Sequence, residues 1–73
     1  SLFPNPVEDR LSLQLSGNAS CKNVEIYGID GSLLKSQNDD FENIDVSDLP
    51  TGLYIAKINL NDGTVFTEKV VVK

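Results

Sequence analysis

The chain has 73 residues and a mass of 8.0 kDa, which leaves room for one small domain with a thin stability margin. Its formal net charge of −5 argues against nucleic-acid binding and against attraction to an anionic membrane, because both need a basic surface. The longest uninterrupted aliphatic run is residues 70–72, so we expect no membrane insertion, and Pro4 and Pro6 interrupt the place where a signal peptide would be apolar.

Short runs in which apolar and polar residues alternate predict β-strands along most of the chain. The first run covers residues 11–15, and the most apolar one covers residues 54–60, as expected of a central strand. Further runs predict strands at 24–27, 33–37, 44–46 and 64–73, with a short additional strand near Val7. Because no window shows a helical stripe, we predict an all-β fold, an antiparallel sandwich of about seven short strands.

Turn residues separate these predicted strands. Asp30-Gly31 and Asn61-Asp62-Gly63 each lie between two strands and predict hairpins. The last strand has apolar residues on both faces, so we expect a β-bulge near residues 68–70 that places Phe66 and Val71 on one face. We also expect the rings of Tyr54 and Phe66 to be buried.

The inventory of reactive side chains excludes most catalytic chemistry. With one cysteine, Cys21, and no histidine, the chain cannot form a zinc site, a Ser-His-Asp triad or an internal disulfide. The acidic run has a composition that resembles calcium sites but lacks their spacing, so it predicts a solvated loop. It consists of Asp39, Asp40, Glu42, Asp45 and Asp48. We therefore expect no metal, no cofactor and no enzymatic activity.

Four sequence elements in a fixed order resemble one known family. They are Pro4-Asn5-Pro6, residues 24–31 (VEIYGIDG), residues 49–54 (LPTGLY) and the final residues 69–73 (KVVVK). This order resembles the type A C-terminal sorting domain of the type IX (Por) secretion system of Bacteroidetes. The resemblance covers essentially the whole chain.

The resemblance implies a secretion signal with an immunoglobulin-like β-sandwich fold. Residues 1–73 would be a single C-terminal sorting domain, the tail end of a larger secreted protein. An attached cargo domain would pass from the periplasm across the outer membrane through the type IX translocon. A sortase-like peptidase would then remove the domain at the cell surface, and the scissile bond would lie before the Pro-Asn-Pro motif.

Three groups of residues are candidates for recognition or for a structural role. In the tail, Lys69 and Lys73 flank the aliphatic residues Val70, Val71 and Val72. The two charges would orient a binding partner, and the aliphatic side chains would give it an apolar contact surface.

The second group is a turn that leads into a strand, and the third is the N-terminal motif. The turn contains Leu49, Pro50, Gly52 and Tyr54. We expect Leu49 to close one end of the core, Gly52 to take a φ that other residues resist, and the Tyr54 hydroxyl to bond the turn backbone. Pro4, Asn5 and Pro6 stiffen the start of the domain and mark its border with an upstream linker. Structural and recognition roles both remain open for these two groups.

A different class of function is a carbohydrate-binding or adhesive β-sandwich appended to a secreted enzyme. Binding of sugars generally needs exposed aromatic rings on one face, and the chain has only five aromatic residues. They are Phe3, Tyr27, Phe41, Tyr54 and Phe66.

Overall fold

The computed structural model describes residues 1–73 and contains seven strands and no helix. The strands, in chain order, are β1 (Leu2–Phe3), β2 (Arg10–Leu13), β3 (Cys21–Gly28), β4 (Leu33–Gln37), β5 (Ile44–Asp45), β6 (Gly52–Leu60) and β7 (Val65–Val72).

The strands form two antiparallel sheets, one of three strands in the order β1-β2-β5 and one of four in the order β4-β3-β6-β7. One core of 13 buried hydrophobic residues lies between them, and no buried side-chain polar atom lacks a hydrogen-bond partner. This architecture confirms the predicted all-β sandwich. The core consists of Leu2, Val7, Leu11, Val24, Ile26, Ile44, Val46, Tyr54, Ala56, Ile58, Leu60, Val70 and Val72.

Strand alternation explains which residues reach this core. β6 lies between β3 and β7, and every second residue of β6 from Tyr54 to Leu60 is buried, as the sequence predicts for a central strand. The two predicted hairpins are also present. Their glycines, Gly31 and Gly63, have φ values of 88° and 90°, a region that favours glycine because it has no Cβ.

The last strand differs from its prediction. β7 pairs with β6 without interruption from Asn59↔Val65 to Gly52↔Val72, so the expected bulge at residues 68–70 is absent. Val70 is buried, whereas Val71 is 40% exposed. Phe66 does share the inward-facing side with Val70, but it is 50% exposed because it lies beside an open groove of about 900 Å³ between the sheets. The expectation that the Phe66 ring is buried is therefore wrong.

The irregular strand is β3. Its register shifts between Ile26 and Tyr27 against β4, and between Cys21 and Asn23 against β6. The segment near Val7 is a single parallel bridge to Val72 and not a strand of its own.

Candidate functional site

The tail residues are divided between the core and the surface. Val70 and Val72 are 1% and 2% exposed and pack inside the sandwich. Lys69, Val71 and Lys73 alternate with them, so they face outward from the four-stranded sheet. Two of the five residues of the predicted recognition tail are thus part of the core, and only the three outward-facing residues are accessible to a partner.

The Pro-Asn-Pro motif is hydrogen-bonded to the edge of β7 that does not pair with β6. The Asn5 side chain donates from Nδ2 to the Lys69 carbonyl at 2.8 Å and accepts at Oδ1 from the Val71 amide at 3.0 Å. An asparagine side chain carries the same donor and acceptor as a peptide group, so Asn5 substitutes for a neighbouring strand. The flanking residues, Pro4 and Pro6, have no amide hydrogen, which suits a segment at a sheet edge.

Hydrogen bonds on either side of Asn5 continue this closure. The Val7 amide donates to the Val71 carbonyl, and the Lys73 amide donates to the Val7 carbonyl, both at 2.8 Å. Further along, the Leu2 amide donates to the Glu68 carboxylate at 2.9 Å. The sequence alone indicated no role for Val7 or Glu68 in this arrangement. The one signal for it was an amide side chain placed between two prolines.

The turn at residues 49–54 lies at the same end of β6 and β7 as the tail. Gly52 pairs with Val72 and the next residue, Leu53, pairs with Val71. The Tyr54 hydroxyl donates to the Pro50 carbonyl, and the partly buried Leu49 packs against the core. These contacts agree with the predicted roles of Tyr54 and Leu49.

Gly52 does not have the conformation that the sequence analysis expected. Its φ is not positive, and a Cβ at this position would meet Tyr54 Cε1 at 3.9 Å and the Pro50 carbonyl oxygen at 4.0 Å. Both distances are ordinary van der Waals contacts. The expectation was wrong because Gly52 already begins a strand, where the backbone is extended.

The acidic run is spread over separate local interactions. Asp48 pairs with Lys35 at 2.9 Å, and the Asp40 carboxylate accepts from Nδ2 of the Asn43 side chain at 3.1 Å. Asp45 accepts from the Ser47 hydroxyl, and this bond lowers the pKa of Asp45. No group of three or more potential metal ligands comes together. The Cys21 thiol is half-buried, and its burial raises its pKa, so thiolate formation is disfavoured.

The exposed aromatic residues do not form a platform on one face. Phe3 and Phe66 are 47% and 50% exposed, but they line different depressions of the surface, while Tyr54 is buried. Since no helix is present, none is long and apolar enough to cross a membrane.

Comparison with known proteins identifies the family of this chain. The family described as the secretion system C-terminal sorting domain matches residues 1–73. The chain belongs to this family. A relative, the ulvan lyase NLR42 of Nonlabens ulvanivorans, is 28% identical over an alignment of 74 positions, and the alignment covers 97% of this chain and 14% of the relative. No solved structure matches the chain.

Membership of the family confirms the predicted role as a secretion signal. The sorting domain is a C-terminal signal for type IX secretion, and it directs export to the cell surface or the extracellular space. The domain itself is not catalytic. The relative's source agrees with the Bacteroidetes origin of the family. The chain spans 14% of the length of that relative.

Proposed function

We propose that residues 1–73 form one sorting domain at the tail of a larger protein, and that the type IX outer-membrane translocon recognises this domain in its folded state. The Asn5 contact with the Lys69 carbonyl and the Val71 amide carries the proposal. Through it, the N-terminal motif and the tail of the sorting domain become parts of one folded surface. The upstream cargo domain in the same chain is the passenger.

Recognition of the folded domain follows from the burial of the tail. Removing Val70 and Val72 from the core to present a free peptide would expose two buried valine side chains, each worth roughly 1.5–3 kcal/mol. A domain of this size has only a few kcal/mol of stability. The outward-facing Lys69 and Lys73, in contrast, are available to a partner without any unfolding.

Removal of the sorting domain by a sortase-like peptidase would cut ahead of the Pro-Asn-Pro motif. Leu2 and Val7 are 3% and 0% exposed, and Asn5 is bonded to the last strand. A peptidase needs a segment that it can draw into an extended conformation, and residues 3–6, although exposed, are held against the domain by the buried Leu2 and Val7 on either side. The upstream side of this segment is the position that a peptidase can reach while the domain stays folded.

An export assay tests the proposal. Residues 1–73 are fused behind a signal peptide and a fluorescent protein in a Bacteroidetes strain with a working type IX system. We expect the fusion in the medium or at the surface in that strain, and in the periplasm of a translocon mutant. In a strain that lacks the peptidase, the exported fusion should keep its sorting domain.

The contrary result is also informative. Retention in the periplasm of both strains, with the domain shown to be folded, would contradict the proposal. Binding of the purified domain to polysaccharide in a pull-down would then support the carbohydrate-binding alternative.

A further inference from the structure

The outer face of the four-stranded sheet carries an apolar stripe that no other part of residues 1–73 covers. Its members face away from the core by strand alternation, and they are direct cross-strand partners: Tyr27 with Leu33 and Ile55, and Leu53 with Val71. Leu33, Leu53 and Val71 are 52%, 44% and 40% exposed. We call these five residues the outer stripe.

Positive charge lines the outer stripe on the side of β7. Lys69 is the cross-strand partner of Ile55, and Lys69 and Lys73 lie two residues before and after Val71 on the same face. Neither lysine takes part in an ion pair, since the one ion pair of the domain joins Lys35 and Asp48.

The remaining charges of this face offset each other. Lys57 lies directly opposite Glu25 on the neighbouring strand. The other ten of the eleven carboxylates lie in turns, in loops, on the three-stranded sheet or, for Glu68, on the inward side of β7. A chain with a net charge of −5 therefore presents a locally positive face.

We propose that the outer stripe docks a protein partner whose surface carries apolar side chains flanked by two carboxylates. Lys69 lies on β7 and Lys73 directly follows its last residue, so four residues of extended chain separate them and the two carboxylates would be about 13 Å apart. The inference rests on the proposed recognition of the folded domain and names the surface that is recognised. Hydrophobic contact at the centre with charge at the rim is the usual arrangement of a protein interface.

A lipid surface fits these observations less well than a protein. The net charge of −5 would repel an anionic bilayer as a whole, although Lys69 and Lys73 would be attracted locally. A complementary acidic rim on a protein can pair with the two lysines without bringing the remaining carboxylates close.

Substitutions on β6 and β7 separate the role of the outer stripe from that of the rest of the same sheet face. Val71→Thr and Leu53→Thr remove apolar contact but keep a side chain that favours strands. Val65→Thr is the matched control, because Val65 is 48% exposed on the same strand and the same face, six residues from Val71. Thermal unfolding of each purified domain shows whether its stability is retained, and Val71→Thr alone replaces the double variant if the latter unfolds.

The export assay with these fusions decides the proposal. We expect Leu53→Thr with Val71→Thr to lower the exported fraction at least about tenfold, as loss of two central contacts does in protein interfaces, and Val65→Thr to leave it unchanged. Export of the double variant at the wild-type level would overturn the outer stripe as docking surface while the proposed function stands. Absence of export for the wild-type fusion would instead refute the proposed function, and this inference with it.

Vesicles of phosphatidylglycerol and phosphatidylcholine are the second probe. We expect the wild-type domain to stay in the supernatant when the vesicles are sedimented. Co-sedimentation of the wild-type domain that is lost in the double variant would identify a lipid surface as the ligand and overturn the protein partner.

Discussion

Replacing Asn5 by alanine tests how the N-terminal motif stabilises the last strand. The substitution removes the two hydrogen bonds to the Lys69 carbonyl and the Val71 amide, at 2.8 and 3.0 Å. Each such bond contributes a net stability of about 0.5–1.5 kcal/mol, and the exposed position favours the lower half of that range. We therefore expect a loss of about 1–2 kcal/mol and a fall in Tm of roughly 5–15 °C for a domain of this length.

Two measurements check this prediction. Thermal unfolding gives the change in Tm, with Asn18→Ala as control, because Asn18 is exposed and makes no side-chain hydrogen bond. Hydrogen exchange shows whether the effect is local: the Val71 amide should exchange faster in Asn5→Ala, by more than the Val70 amide, which faces β6. A Tm within about 2 °C of wild type, with unchanged exchange at Val71, would refute the assignment of Asn5 as a substitute for a strand.

Three further predictions concern the turns and their carboxylates. Gly52→Ala should keep Tm within a few degrees, because the added Cβ meets no atom closer than 3.9 Å. Gly63→Ala should lower the free energy of unfolding by about 1 kcal/mol, because Gly63 has a φ of 90°. Equal effects of the two substitutions in thermal unfolding would contradict this account. Tyr54→Phe removes the hydroxyl bond to Pro50 and should cost about 1 kcal/mol, and an unchanged urea midpoint would show that this bond is not stabilising. Three aspartates accept hydrogen bonds from the residue two positions later, and these bonds lower the folded-state pKa of each carboxyl group. The ionised carboxylates therefore stabilise the fold above pH ~4, and this contribution is lost as the pH falls through the lowered pKa values. Tm should be level from pH 7 to 5 and fall below pH ~4, and a Tm that rises on acidification would contradict the assignment. These aspartates are Asp30, Asp45 and Asp62.

Local patterns in the sequence were sufficient to predict most of the sandwich. The alternation of apolar residues in β6 predicts both the strand and its buried face, and the glycines at positions 31 and 63 predict the two hairpins. Each of these signals involves only a few neighbouring residues. The face of β7 could not be inferred, because residues 64–73 have apolar side chains on both faces. The uninterrupted pairing of β7 with β6 determines which face of β7 is buried. This pairing depends on both strands, so the sequence of β7 alone does not predict it.

The geometry of the candidate site depends on contacts between distant residues. Asn5 and Lys69 are 64 positions apart, and no periodicity connects them. The two residues belong to separate sequence motifs, and they come into contact only in the closed sandwich. Gly52 was misjudged for the opposite reason: a motif glycine suggested a special φ, whereas its place at the start of β6 requires an extended backbone.

The most direct test of the recognition of the folded tail is the export of a fusion with Lys69→Ala and Lys73→Ala. Exposed lysines contribute little to stability, on the order of 0.5 kcal/mol or less, so the variant should keep its circular dichroism spectrum and its Tm within a few degrees. Arg10→Ala with Lys22→Ala is the matched control, since it makes the same change in net charge at residues outside the tail. We predict that the tail variant accumulates in the periplasm while the control variant is exported. Equal export of the two variants would contradict recognition of the tail by its charge.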